Sequence, residues 1–130
     1  MILDTSFIID LIKGDKSAVD IKALLAKKKE TCRVSAATIF ELWTGVTSSS
    51  RSQEEKVRVI NAAAELPVVN VTRQIAEKAG EINGALIKSG EQIDAMDTLI
   101  AATSLLENET LLTKNVKHFS RVRGLRIESY

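Results

Sequence analysis

The sequence predicts an α/β fold with a mostly parallel sheet covered by helices on both faces. Two observations carry that expectation. Short apolar runs recur along the chain and alternate with longer stretches of helical periodicity. Several of those stretches are introduced by a helix-capping residue placed directly after the apolar run. At 130 residues the chain suffices for a single domain, residues 1–130, with a core of its own.

The elements follow in order. Ile2-Leu3 is a short buried strand closed by Asp4-Thr5-Ser6, where Thr5 or Ser6 caps a helix carrying Phe7, Ile8, Leu11 and Ile12 that stops at Gly14. Asp15 caps a second helix through about Lys29, with Val19, Leu24 and Leu25 inward. Its Lys27-Lys28-Lys29 end opposes the helix dipole. Cys32-Arg33-Val34 is the next strand, and Ser35 caps a helix with Ile39, Phe40, Trp43 and Val46 on one stripe. Ser48 to Ser52 is a polar hinge, and Glu54 to Leu66 is a helix that Pro67 ends. Val68-Val69-Asn70-Val71 is the third strand. Thr72 caps a long helix to about Ser89, with Gly90 as its stop. Glu91 to Asn108 is a further helix. Leu111-Leu112-Thr113 and Leu125-Arg126-Ile127 are the last strands, separated by a polar turn containing His118 and Gly124.

Composition narrows the function. With 18 basic and 17 acidic side chains the formal charge is +1, so any affinity for nucleic acid must come from a local basic surface. Aromatics are 4%, which disfavours recognition by stacked bases and leaves aliphatic residues to fill the interior. Cys32 is the single cysteine, so an internal disulfide is excluded and a thiolate metal site is disfavoured. Met1-Ile2-Leu3-Asp4 lacks the pattern of a signal peptide, and no apolar run approaches the roughly 20 residues that span a bilayer. The reading is a cytoplasmic protein without a membrane segment.

In open α/β sheets, sites gather beyond the carboxyl ends of the strands. Asp4 stands at such an end, on a turn entering a helix, where a carboxylate is also an ordinary helix-terminal residue. Thr113 ends the fourth strand, with Asn115 two residues on. Both side chains suit a hydrogen bond to a carboxylate or phosphate oxygen, and both are ordinary turn formers. Asp94 and Asp97, three apart, share a helical face and repel one another unless a cation or hydrogen bonds compensate. Two acids satisfying the free amides of a first helical turn explain the same pair. Glu41 falls opposite the Ile39/Phe40/Trp43 stripe, so periodicity points it to solvent.

Four segments stand in sequence. They are Ile2-Leu3-Asp4-Thr5-Ser6-Phe7-Ile8-Ile9-Asp10; Val34-Ser35-Ala36-Ala37-Thr38-Ile39-Phe40-Glu41-Leu42 with Gly45; Ile93-Asp94-Ala95-Met96-Asp97-Thr98-Leu99-Ile100-Ala101-Ala102-Thr103; and Leu112-Thr113-Lys114-Asn115-Val116-Lys117-His118-Phe119, trailed by Gly124-Leu125. In that order and at those separations they resemble the motifs of the PIN-domain family, specifically the VapC-like toxins of toxin–antitoxin pairs.

The resemblance implies a three-layer α/β/α fold, with a central, mostly parallel sheet of about five strands. It implies a metal-dependent endoribonuclease that leaves 5′-phosphate and 3′-hydroxyl ends, commonly in structured RNA such as tRNA. Asp4, Glu41 and Asp97 occupy the family's acidic positions. Asp4 and Asp97 are then expected as direct ligands of Mg²⁺ or Mn²⁺, Glu41 as a ligand through water or an aid to the nucleophile, and Asp94 as a supporting acid. Thr5, Ser6, Thr113, Asn115 and Lys114 are candidates for contacting phosphate or orienting the acids. Lys13, Arg51, Arg73, Lys114 and Lys117 are candidates for the RNA backbone. A homodimer and a small VapB-like antitoxin are the implied partners. His118 departs from the pattern, standing where an acid is often found, and so leaves the number of metal ions open.

Carboxylates suit this chemistry because they bind hard cations that keep waters and bridge to phosphate oxygens. Three other readings compete. A PIN-fold module that binds RNA or protein with weak or no catalysis is favoured by His118 and disfavoured by Asp4, Glu41 and Asp97 together. A phosphoryl-accepting receiver needs an aspartate ending the third strand, where Val68-Val69-Asn70-Val71 stands, and a second acid beside Asp4, where Thr5 stands. A phosphatase with an Asp-x-Asp nucleophile needs an acid where Ser6 stands.

Overall fold

A computed structural model describes all 130 residues. Its strands are β1 (Ile2–Leu3), β2 (Val34–Ser35), β3 (Val68–Val69), β4 (Leu111–Leu112) and β5 (Ile127–Glu128). Its helices are α1 (Thr5–Ile12), α2 (Lys16–Lys27), α3 (Ala36–Ser48), α4 (Gln53–Ala64), α5 (Arg73–Ser89), α6 (Ala95–Leu106) and the short α7 (Val116–Phe119). None is long and apolar enough to cross a membrane.

All strand pairs are parallel. β1 aligns Ile2 and Leu3 with Leu111 and Leu112 of β4, and β4 aligns the same leucines with Ile127 and Glu128 of β5. On the other side β2 aligns Val34 and Ser35 with Val68 and Val69 of β3. A parallel bridge between Ile2 and Arg33 joins the two halves, so the spatial order is β3-β2-β1-β4-β5. The order reverses between β1 and β4. In an open parallel sheet that reversal opens a crevice at the carboxyl ends of the two strands.

Side-chain alternation along a strand divides the core in two. Ile2 and Leu111 face one side, where they pack with Ile75, Ile82 and Leu86 of α5, Ile100 to Ala102 of α6, and Phe119. Leu3 and Leu112 face the other, with Phe7 and Ile8 of α1, Ala18 and Leu25 of α2, and Val59 and Ala63 of α4. The three layers α/β/α are thereby built. Helix α3 contributes Ala37 to one core and Leu42 to the other, so it sits across the sheet's end rather than on one face.

Several boundaries differ from the sequence reading for local reasons. Asp4, rather than Thr5 or Ser6, caps α1, its side chain accepting from Thr5 N–H. Asp94 caps α6 by accepting from Met96 N–H, so that helix begins at Ala95, not Glu91. The polar turn after β4 contains α7. On α2, Val19 and Leu24 are exposed and only Ala18 and Leu25 are buried. Ser35, Thr72 and Gly90 act as expected. Gly90 ends α5 at φ +71, a left-handed backbone that suits glycine. An added Cβ there meets nothing within 4 Å, so only the backbone opposes a side chain. Gly90→Ala should lower stability by about 1–2 kcal/mol, read as a shift of the urea midpoint without change in slope.

Candidate active site

Where β1 and β4 end side by side, one carboxylate is held from three sides. Asp4 is 4% exposed and sits just beyond β1. Its Oδ1 accepts from Thr5 N–H at 2.8 Å, and its Oδ2 accepts from Ser6 Oγ and Thr113 Oγ1, each at 2.6 Å. Thr113, fully buried at the end of β4, accepts in turn from Asn115 N–H at 2.9 Å. That bond orients the Thr113 hydroxyl so that its proton points to Asp4. The chain Asn115 N–H to Thr113 to Asp4 therefore ties the two strand ends together across the point where the sheet order reverses.

Glu41 arrives from α3, and it faces inward. Periodicity points it to solvent by taking Phe40 and Trp43 as the apolar face; in the structure Phe40 is 60% exposed and Trp43 46%. The inward face is made of Ala37, Thr38 and Leu42, small or aliphatic side chains that let α3 approach the sheet end. Thr5 Oγ1 lies 2.6 Å from Glu41 Oε1 and 3.1 Å from the buried Thr38 Oγ1. A hydroxyl has one proton. It goes to the carboxylate, and Thr38 donates to Thr5. Thr5 thus links Asp4 to Glu41, its amide on one and its hydroxyl on the other. Burial, and then the charges of Asp4 and Asp94, push the Glu41 carboxyl up despite the Thr5 hydrogen bond.

Asp97, in the first turn of α6, is half-buried. Burial first, then the negative charges of Asp4, Glu41 and Asp94, push its pKa up to about 7. Asp4 and Glu41, distant in the chain, thus lie near enough for their charges to bear on Asp97. Asp94 is exposed and already engaged as the cap of α6, so its helix-terminal role is real, and its charge still bears on Glu41 and Asp97.

No cation offsets the cluster's charge. None of Asp4, Glu41, Asp94 and Asp97 forms an ion pair with Lys, Arg or His. As the side chains stand, no three Asp, Glu, His or Cys groups lie close enough together to hold a metal ion. An all-oxygen set carrying this much unpaired charge fits a hard divalent ion and would suit a soft one poorly.

The remaining candidates are dispersed. Lys114 Nζ pairs with Asp10 Oδ2 at 2.6 Å, and Tyr130 OH donates to the same oxygen at 2.9 Å. His118 is exposed on α7, with Nδ1 2.9 Å from Asn115 Nδ2. Arg73 pairs with Glu77 along α5. Lys13 and Arg51 line a cavity with Glu41. Sequence reasoning missed Thr38 and Asp10. The spacing Thr38, Glu41, Gly45, polar or small at one-turn intervals, was the available signal for the first.

Comparison with known proteins is consistent across the whole chain. The PIN domain family model matches residues 1–125. Ribonuclease VapC19 of Mycobacterium tuberculosis is 32% identical over 119 residues, covering 91% of this chain and 90% of the relative. The tRNA(fMet)-specific endonuclease VapC of Shigella flexneri is 27% identical over 128 residues, covering 98% and 96%. In the crystal structure of VapBC2 from Rickettsia felis bound to a DNA fragment from its promoter, a chain superposes with a TM-score of 0.87 at 28% identity, covering 99% of this chain and 97% of that one.

Proposed function

The chain belongs to the PIN-domain family, and from that premise we propose that it is an endoribonuclease, the toxin of a toxin–antitoxin pair, hydrolysing RNA phosphodiester bonds with Mg²⁺ or Mn²⁺. The observation that carries the chemistry is Asp97, whose proton affinity is raised by burial and by three other carboxylates with no basic side chain to offset them. Such a cluster would attract cations. The likeness to a tRNA-specific relative makes tRNA the first substrate to try, and the VapBC complex makes a VapB-like antitoxin the partner.

The acids take different roles. Asp4 and Asp97 would hold the ion, and the charge of Asp94 would add to the attraction. A bound divalent cation supplies neutralisation of charge on the phosphate and a lowered pKa for water. Thr5, Ser6 and Thr113 spend their donors on Asp4 and so fix its carboxyl plane. Glu41 has one oxygen held by Thr5 and the other free of protein partners. Its raised pKa makes it a stronger base than an ordinary glutamate, suited to receive the proton of the attacking water.

Purified protein incubated with total tRNA and Mg²⁺ or Mn²⁺ should yield discrete fragments with 5′-phosphate and 3′-hydroxyl ends. Cleavage should cease with chelator and with added antitoxin. Fragments that persist in chelator would overturn the metal assignment, and intact RNA under all conditions would favour a silent PIN-fold binding module. Thr113→Val removes one donor from Asp4 without changing side-chain size. Its expected effect is a loss of about 10–100-fold in metal affinity or activity, measured by Mn²⁺ titration alongside the cleavage rate.

A further inference from the structure

Beside Glu41 the surface opens into two adjoining cavities that share Ile12, Lys13, Arg51 and Val59 as a common wall. The inner one, about 50 Å³, is bordered by Glu41 itself. The outer one, about 210 Å³, adds Arg58 and Glu55. Three elements bring the cations here. Lys13 caps the carboxyl end of α1, Arg51 lies in the connection between α3 and α4, and Arg58 stands on α4.

Arg73 and Lys114 each pair with a carboxylate, whereas Lys13, Arg51 and Arg58 form no salt bridge, although the charge of Lys13 bears on Asp10; the single acid in the outer wall, Glu55, is paired with no cation. Cations gathered in a concave surface repel one another and focus a positive potential that an anion relieves. Guanidinium groups present forked donors that match phosphate oxygens. The inner cavity also reaches Glu41 of the carboxylate cluster. A polyanion with one phosphodiester at the acids would therefore carry a neighbouring one into the basic pocket.

We infer that Lys13, Arg51 and Arg58 form a subsite for a phosphodiester flanking the one that is cut, holding the RNA strand in register against an acidic centre that alone would repel it. The inference rests on the ribonuclease reading and assigns the side of the site along which the strand runs. Arg58, absent from the sequence-derived candidates, is the more exposed of its two arginines.

The test compares Arg51→Gln/Arg58→Gln with Lys27→Gln/Lys88→Gln, an equal loss of charge on exposed positions elsewhere. Binding of a fluorescent single-stranded RNA is measured against salt in an Asp97→Asn background. Cleavage of the same RNA is measured in the active background. The first pair should lower the steepness of log K against log salt by about 0.7 for each phosphate left without its cation. It should also raise KM about tenfold, proportionally more than it lowers kcat. Arg58→Gln alone gives the same direction should the double variant melt early. A salt slope and KM matching the Lys27/Lys88 control would overturn the subsite. If the parent cleaves no RNA at all, the ribonuclease reading falls, yet the salt slope still decides whether this pocket holds RNA phosphate.

Discussion

Asp97→Asn is expected to reduce RNA cleavage by about 10³-fold or more, and yet to yield a protein that melts higher than the parent in chelator at pH 8. The two effects share one cause. At that pH Asp97 carries a negative charge that burial, Asp4, Glu41 and Asp94 all oppose. The amide has the same shape without the charge, so the fold is relieved of the repulsion. A neutral amide is also a far poorer partner for a hard divalent ion. Losing several kcal/mol of charge stabilisation in the transition state corresponds to about three powers of ten in rate. Divalent cation should then raise the melting temperature of the parent but scarcely that of the variant. The pairing of outcomes matters, because simple misfolding would lower both activity and melting temperature. A variant that cleaves at near-parental rate would remove Asp97 from the reaction, and one that melts lower in chelator would show that its charge is compensated after all.

The fold was largely legible because its grammar is local. Apolar runs such as Leu111-Leu112 mark buried strands whatever surrounds them, and Ser35, Thr72 and Gly90 announce helix ends through their own hydrogen bonds or backbone. What the periodicity did not reveal was which face of α3 turns inward. Size suggested Phe40 and Trp43, but a helix lying across the end of a sheet meets backbone and cap residues at close range, and there small side chains fit. Glu41 is inward for that reason, with Thr38 and Leu42, and only likeness to a known family pointed to it beforehand. Asp4 and Thr113 were found as strand-end residues, whereas their mutual hydrogen bond depends on β1 and β4 being neighbours. That adjacency joins segments more than 100 residues apart and has no local signature. The spacing of Asp94 and Asp97 raised two explanations; Asp94 caps the helix, and Asp97 lies within range of the charges of the other acids.

The raised pKa of Asp97 also fixes how the protein responds to pH, with a sign opposite to that of a salt-bridged aspartate. Unfolded, the group titrates near an ordinary aspartate value of about 4; folded, it titrates at about 7. Between these values the folded state binds more protons than the unfolded, so stability falls as pH rises through that window. Solvent reaches the half-buried carboxyl, so the discounted loss is about 1 kcal/mol, or a few degrees in melting temperature. The consequence for cation binding is larger. A cation must displace the proton, so apparent affinity should climb about tenfold per pH unit up to pH 7 and level off above it, roughly 100-fold between pH 5 and 7. Calorimetric titration with Mn²⁺ in buffers of different ionisation heat would measure both the affinity and the proton released. At pH 6 most of a proton should leave with each ion bound, and at pH 8.5 almost none. Cleavage limited by cation occupancy should follow the same curve, and saturating Mn²⁺ should shift its midpoint to lower pH. A pH-independent affinity, or a melting temperature in chelator that rises from pH 4 to 7, would mean that the four carboxylates do not act as one electrostatic unit.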